Sequence, residues 1–172
     1  MYTKKQIIKK LLIGTVLLAL AVLITIFIRE NMNVQSPEQA LPTFTVTMNG
    51  NTALSDDSVF RAGYEWNFFT TTAKHTPPYS PADLKLVTPP VPMTPRTYLD
   101  LDFSIRPKNL TISRADDENF ETFMDFIDVG MGPIIAPAVP GLYQYRIQAD
   151  FGWRGSVIYF FTIQVIDTTE KQ

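Results

Sequence analysis

The chain of 172 residues contains no cysteine. That excludes disulfides, thiolate metal sites and thiol nucleophiles, so a folded domain here is held by its core alone. Histidine is nearly missing too: His75, in the string KHTPP, is the only one. Hydroxyl nucleophiles need a neighbouring base, usually histidine, and no G-x-S-x-G elbow is present. A lone histidine in a proline-flanked loop reads as incidental. Phosphate-cradling glycine loops are also lacking. Gly130 and Gly132, in VGMGPI, precede a proline and lack the Lys and Ser/Thr of a P-loop.

Basic charge is scarce beyond the first residues. Of 15 Lys and Arg, five (Lys4, Lys5, Lys9, Lys10 and Arg29) precede residue 30, and all 17 acidic residues come after them. The rest therefore carries ten basic against 17 acidic residues, a formal charge of −7. Nucleic-acid binding, which needs a basic stripe, is excluded as an expectation. Docking of the domain to anionic lipid by net charge is disfavoured in the same way. The acidity reads chiefly as a solubilising surface.

What the sequence does have is a long apolar run. Leu11 to Ile28, LLIGTVLLALAVLITIFI, holds no charge, and only Thr15 and Thr25 are polar. As a helix it reaches about 27 Å, close to the hydrocarbon thickness of a bilayer. The lysines before it and the offset pair Arg29 and Glu30 after it predict a cytoplasmic tail (1–10), a transmembrane helix (11–28) and an exported remainder. A cleaved signal peptide shares the charged front. It is disfavoured by the length of the run and by its end in Thr25, Ile26, Phe27 and Ile28, with no small-x-small pair.

Residues 29–42, with Pro37 and Pro42, are expected to form an extended stalk. From Thr43 onward the period is two. In TFTVTM, Phe44, Val46 and Met48 alternate with threonines, and Asn49-Gly50-Asn51 supplies a tight turn. YEWNFFTTT places Tyr64, Trp66 and Phe68 on one face. Seven of thirteen prolines fall in residues 77–95, which predicts a rigid loop, with Leu84 to Val87 at most a short strand. Leu99, Leu101, Phe103 and Ile105 alternate again, and Leu110 to Ser113 follow as a short strand. Residues 116–128 fit helix and strand templates nearly equally, with strand preferred.

The end of the chain is the clearest. Tyr143, Tyr145, Ile147, Ala149 and Phe151 share a face; Gly152-Trp153-Arg154-Gly155 turns; SVIYFFTIQVI returns, apolar on both sides. About seven strands predict an all-β, immunoglobulin-like antiparallel β-sandwich over 43–167, preceded by the transmembrane helix and followed by a disordered end, 168–172.

Gly63, Tyr64 and Trp66 form G-Y-x-W. Gly141, Tyr143, Tyr145, Ile147, Ala149, Phe151, Gly155, Tyr159 and Phe161 form a longer pattern, G-x-Y-x-Y-x-I-x-A-x-F…G-x-x-x-Y-x-F. With the Asn49-Gly50 turn and the proline-rich middle, this resembles small exported β-domains of Bacillus-like membrane-anchored proteins and lipoproteins, over about residues 43–166. Some relatives carry Cys where this chain has Glu65. The resemblance implies an exported sandwich and brings no activity or catalytic residue.

Candidate chemistry is thin. Asp100 with Asp102, or Glu118 with Glu121, could pair for acid/base work on sugars, although the wet face of a strand is where carboxylates merely solubilise. Asp116, Asp117 and Glu118 are the densest acidic run but lack the spacing of a calcium loop. Trp66, Tyr64, Tyr143, Tyr145 and Tyr159 are expected in the core. Trp153, in a turn, is left between a partner contact and a local cap. Asn109-Leu110-Thr111 is a glycosylation sequon only in a eukaryotic host. No catalytic, metal-binding or cofactor-binding residue is assigned, and no cofactor is expected.

The leading expectation is a membrane-tethered binding or accessory module at the cell envelope of a Gram-positive bacterium, with another envelope protein or a wall component as partner. Its expected contact surface is a sheet edge or the 77–95 loop. The alternatives are a carboxylate-based hydrolase of wall polymers and a protease inhibitor presenting that loop.

Overall fold

The computed structural model describes residues 4–76, 79–115, 119–125 and 132–166. The expected C-terminal disorder (168–172) and the Asp116–Asp117–Glu118 run lie outside these residues. The chain forms two units: residues 1–40 with Phe68–Thr71, and Leu41–Asn67 with Thr72–Gln172.

In the first unit a single helix, α1 (Lys4–Gln35), covers the apolar run with its side chains exposed. It is long and apolar enough to cross a membrane. The two hydroxyls of the run fold back onto the helix itself. Thr15 donates to the Leu11 carbonyl at 3.0 Å and Thr25 to that of Ala21 at 2.9 Å, so neither presents an unmet donor to its surroundings. The extended stalk is corrected. The helix runs on to Gln35, and α2 (Pro37–Ala40) follows after one residue. Residues 29–35 contain neither Pro nor Gly, and adding residues to a nucleated helix is cheap. Pro37 sits at the first position of α2, where its missing N–H costs nothing.

The second unit contains β1 (Phe44–Met48), β2 (Thr52–Ala53), β3 (Val59–Asn67), β4 (Thr72–His75), α3 (Pro81–Val87), β5 (Val91–Met93), β6 (Tyr98–Phe103), β7 (Asn109–Ala115), β8 (Met124–Asp125), β9 (Ile134–Ile135), β10 (Gly141–Asp150) and β11 (Gly155–Val165). The expected β-sandwich is the fold, with eleven strands among the described residues in place of about seven because several are pieces of two to four residues. One sheet runs β2-β1-β6-β9 and the other β4-β3-β11-β10-β7-β8. Among the described residues all pairs are antiparallel except β5, which lies parallel to β11 beside Ile163 to Val165.

The core lies between the sheets, where Val46 and Leu99 face Tyr145, Ile147, Val157, Phe161 and Ile163, all at 0% exposure. Phe44 stacks on Phe103 at 4.7 Å and meets Tyr159 at 4.8 Å, which joins the two sheets. Tyr145 and Phe161, opposite one another on β10 and β11, stack at 4.9 Å.

The proline-rich segment departs from expectation. Leu84 to Val87, expected to form at most a short strand, belong to α3, and proline starts this helix. Pro81 follows the N-cap Ser80, whose hydroxyl accepts from the Asp83 N–H at 3.2 Å while the Asp83 carboxylate accepts from the Ser80 N–H at 3.0 Å. The Ser80 hydroxyl also donates to the Asp83 carboxylate at 2.7 Å, and this bond, followed by that from the Ser80 N–H, holds the Asp83 carboxyl below the usual range. Leu84 then packs with Ala62 and Phe160 on the outer face of the larger sheet. Within 116–128 the described residues contain no helix. Phe120 has a positive φ of 56° and is buried, and Met124–Asp125 pairs with β7.

Candidate functional site

Tyr143, Tyr145, Tyr159 and Trp66 are buried, as their alternation predicts. His75 is exposed at the end of the edge strand β4, with its ring 5.8 Å from that of Tyr64. Asp100 and Asp102 lie on β6, and Asp102 accepts from the Thr47 hydroxyl at 3.2 Å. Glu121 is exposed; Glu118, Gly130 and the rest of the acidic run lie outside the described residues. Among the described residues no group of three His, Asp or Glu side chains is placed to hold a metal.

Trp153 lies in a turn of 3-10 helix between β10 and β11, 60% exposed, with the Arg154 guanidinium 4.2 Å from its ring centre. The turn is tied down: Asn67 Nδ2 donates to the Trp153 carbonyl at 2.7 Å, and Arg154 Nη1 donates to the Asn67 carbonyl at 3.1 Å. Asp150 closes it by accepting from the Gly152 N–H at 2.7 Å and from Asn109 Nδ2 at 3.1 Å. These bonds, Gly152 first, keep the Asp150 carboxyl below the usual range.

The expected contact loop is no loose surface. Thr88 is fully buried and bonds the Thr162 hydroxyl at 2.8 Å, with Gln144 Nε2 donating to both threonines at 3.2 and 3.3 Å. Val91–Met93 is hydrogen-bonded into the sheet as β5. Removing residues 88–93 would therefore take out part of the fold, and a presented inhibitory loop does not suit this packing.

The site that sequence reasoning missed is a groove of about 260 Å³ where β1 and β3 diverge. Thr43, Phe44 and Thr45 form one wall, Val59, Arg61 and Tyr159 the other, and Ser55 and Asp56 the end. β2 pairs only with Thr47 and Met48, so among the described residues no strand lies beside the Phe44 end of β1 on that side. In an antiparallel ladder successive residues point their amide groups to opposite sides. The Thr43 carbonyl accepts from the Ser104 N–H at 3.0 Å, toward β6, and the Val46 carbonyl from the Leu54 N–H at 2.8 Å, on the other side. Phe44 shares the parity of Val46, so its N–H and C=O point toward the groove.

Arg61 reaches this wall through a bulge. Tyr159 lies opposite Arg61 but Ile158 lies opposite Gly63, which leaves Ala62 as the extra residue. Strict alternation backwards from Tyr64 and Trp66 would put Arg61 on the outer face; the bulge reverses it onto the face of Tyr159. Tyr159 is buried beneath the groove and its hydroxyl is pushed up to about 12 by desolvation, against the opposing pull of the Arg61 charge. The groove thus offers a free strand edge, hydroxyls and a guanidinium. Those groups suit holding an extended polar segment.

In comparisons with known proteins, no family model, no curated protein and no solved structure matches the chain.

Proposed function

We propose that this chain is a single-pass, membrane-anchored accessory module whose β-sandwich holds a partner at the cell envelope. The helix α1 is the anchor. Four lysines precede its apolar run, which favours a cytoplasmic N-terminus and an exported sandwich. The resemblance to small exported β-domains points the same way and carries no activity with it.

The observation that carries the binding role is the groove between β1 and β3. There, a strand edge left uncovered by β2 runs beside Thr43, Thr45 and Arg61. An extended segment of another envelope protein, adding to the Phe44 edge and placing an acceptor near Arg61, is the partner this chemistry fits.

Site-specific crosslinking tests it. The native chain has no thiol, so Thr45→Cys and Asp56→Cys can each carry a photoactivatable label in intact cells. A defined adduct from both positions supports the groove. Adducts only from Gln148→Cys, on the exposed side of β10, would move the binding surface elsewhere. Turnover of a wall fragment by the purified chain, lost in Asp100→Asn, would replace the binding reading with a hydrolase.

A further inference from the structure

The turn Phe68–Thr71 groups with the helix α1. It is closed by the Phe68 N–H donating to the Thr71 carbonyl at 2.8 Å, and it leaves the Phe69 side chain 55% exposed. Phe69, Leu23, Ile24, Ile26 and Phe27 line an open hollow of about 510 Å³ without a polar side chain among them. The four helical residues precede Ile28, the last residue of the uncharged run, by one to five positions. At the helical rise they sit roughly 1.5 to 7.5 Å inside that end, below the headgroups of a bilayer matched to the run.

We propose that Phe69 is set into the outer acyl-chain layer beside α1, and that the hollow is filled by lipid tails. The inference rests on the anchoring read above. Its physical basis is that five large apolar side chains left facing water forfeit the transfer free energy that hydrocarbon would supply. The occupant follows from continuity: the hollow is a dent in the surface of a helix whose length and composition suit a membrane. Thr70 and Thr71, exposed and hydroxyl-bearing, would stand nearer the polar interface. A backbone turn is tolerated at that depth because the Phe68–Thr71 hydrogen bond satisfies two of its groups.

The absence of native cysteine makes the test direct. The full chain is reconstituted in phosphatidylcholine vesicles with an environment-sensitive fluorophore at Phe69→Cys, at Thr70→Cys (which keeps Phe69) and at Ile24→Cys as the depth reference. The expected result is blue-shifted emission at position 69, quenched by nitroxides on the acyl chains to a similar degree as at position 24. Position 70 should be quenched from a shallower nitroxide. Water-like emission at both 69 and 70, with position 24 quenched, overturns this inference and leaves the anchor standing. Blue-shifted emission at 69 that lipid nitroxides do not quench means a second copy of the chain fills the hollow, and also overturns it. An unquenched label at Ile24 removes the anchor and this inference together.

Discussion

The hydroxyl of Tyr159 donates a 2.7 Å hydrogen bond to the carbonyl oxygen of Pro42, 117 residues earlier in the chain. The bond fastens the second residue before β1 to a central strand, β11, of the opposite sheet. It is buried, and Phe44 packs on the same tyrosine ring at 4.8 Å. Tyr159→Phe should keep the ring packing and leave the Pro42 carbonyl without its donor. The expected loss is about 1–3 kcal/mol in urea unfolding of the sandwich. A loss below about 0.3 kcal/mol would show the bond to be replaceable by water.

The same tyrosine predicts an alkaline response. Its folded-state value of about 12 lies above the ordinary 10, so the folded chain keeps this proton longer than the unfolded one. That contribution is present in full below pH 10 and is lost as pH rises toward 12, at about 1.4 kcal/mol per unit. The stability advantage of the native chain over Tyr159→Phe should therefore shrink across that window. An advantage unchanged from pH 9 to 11.5 would refute the buried phenol.

The start of the sandwich follows from the same contact. Leu41 and Pro42 are buried, so the unit begins two residues before the expected Thr43. A soluble chain starting at Leu41 should be more stable than one starting at Thr43 by at least about 1 kcal/mol, since the shorter one exposes apolar surface and strands the Tyr159 hydroxyl. Equal melting midpoints would contradict this.

Two glycines of the turns should respond differently. Gly155 has φ of 109°, and a Cβ there would collide with the Glu65 carbonyl oxygen on β3. Gly155→Ala should cost more than about 3 kcal/mol or prevent folding, because the atom it strikes is backbone in the sheet. Gly50, at φ 70° with nothing within 4 Å, should lose only about 1 kcal/mol as alanine. Similar costs at the two sites would mean that β3 can move away from Gly155.

Core and turn aromatics make the last contrast. Phe161→Ala removes a fully buried ring stacked on Tyr145 and should cost about 3–5 kcal/mol. Trp153→Ala, in an exposed turn, should stay near 0.5 kcal/mol. A large loss at Trp153 would make its stacking with Arg154 a structural cap.

The sequence by itself determined the parts governed by local period and composition. An uncharged apolar run specifies a helix in any surroundings, and α1 covers it. Alternation with β-branched and aromatic residues specified β1, β6, β10 and β11 and their inward faces, except at Ile105, which lies past the end of β6 and is exposed, because one face of a sandwich strand must meet the core. The Asn49-Gly50 turn was legible for the same local reason, both residues taking positive φ.

Tertiary structure decided the rest. The prolines in 77–95 predict a rigid loop with at most a short strand at Leu84 to Val87, yet Ser80 and Asp83 turn Pro81 into a helix start, and burial of Leu84 on Ala62 and Phe160 stabilises the short helix. Residues 29–35 carried no helical pattern of their own and became helical by continuation of α1. Arg61 was invisible because period two assumes an unbroken ladder. One extra residue at Ala62 inverts every side chain before it, and only the pairing of β3 with β11 shows where that residue falls. The groove exists because β2, the return strand of the Asn49-Gly50 hairpin, stops after two residues, and the alternation along β1 does not show where that pairing ends.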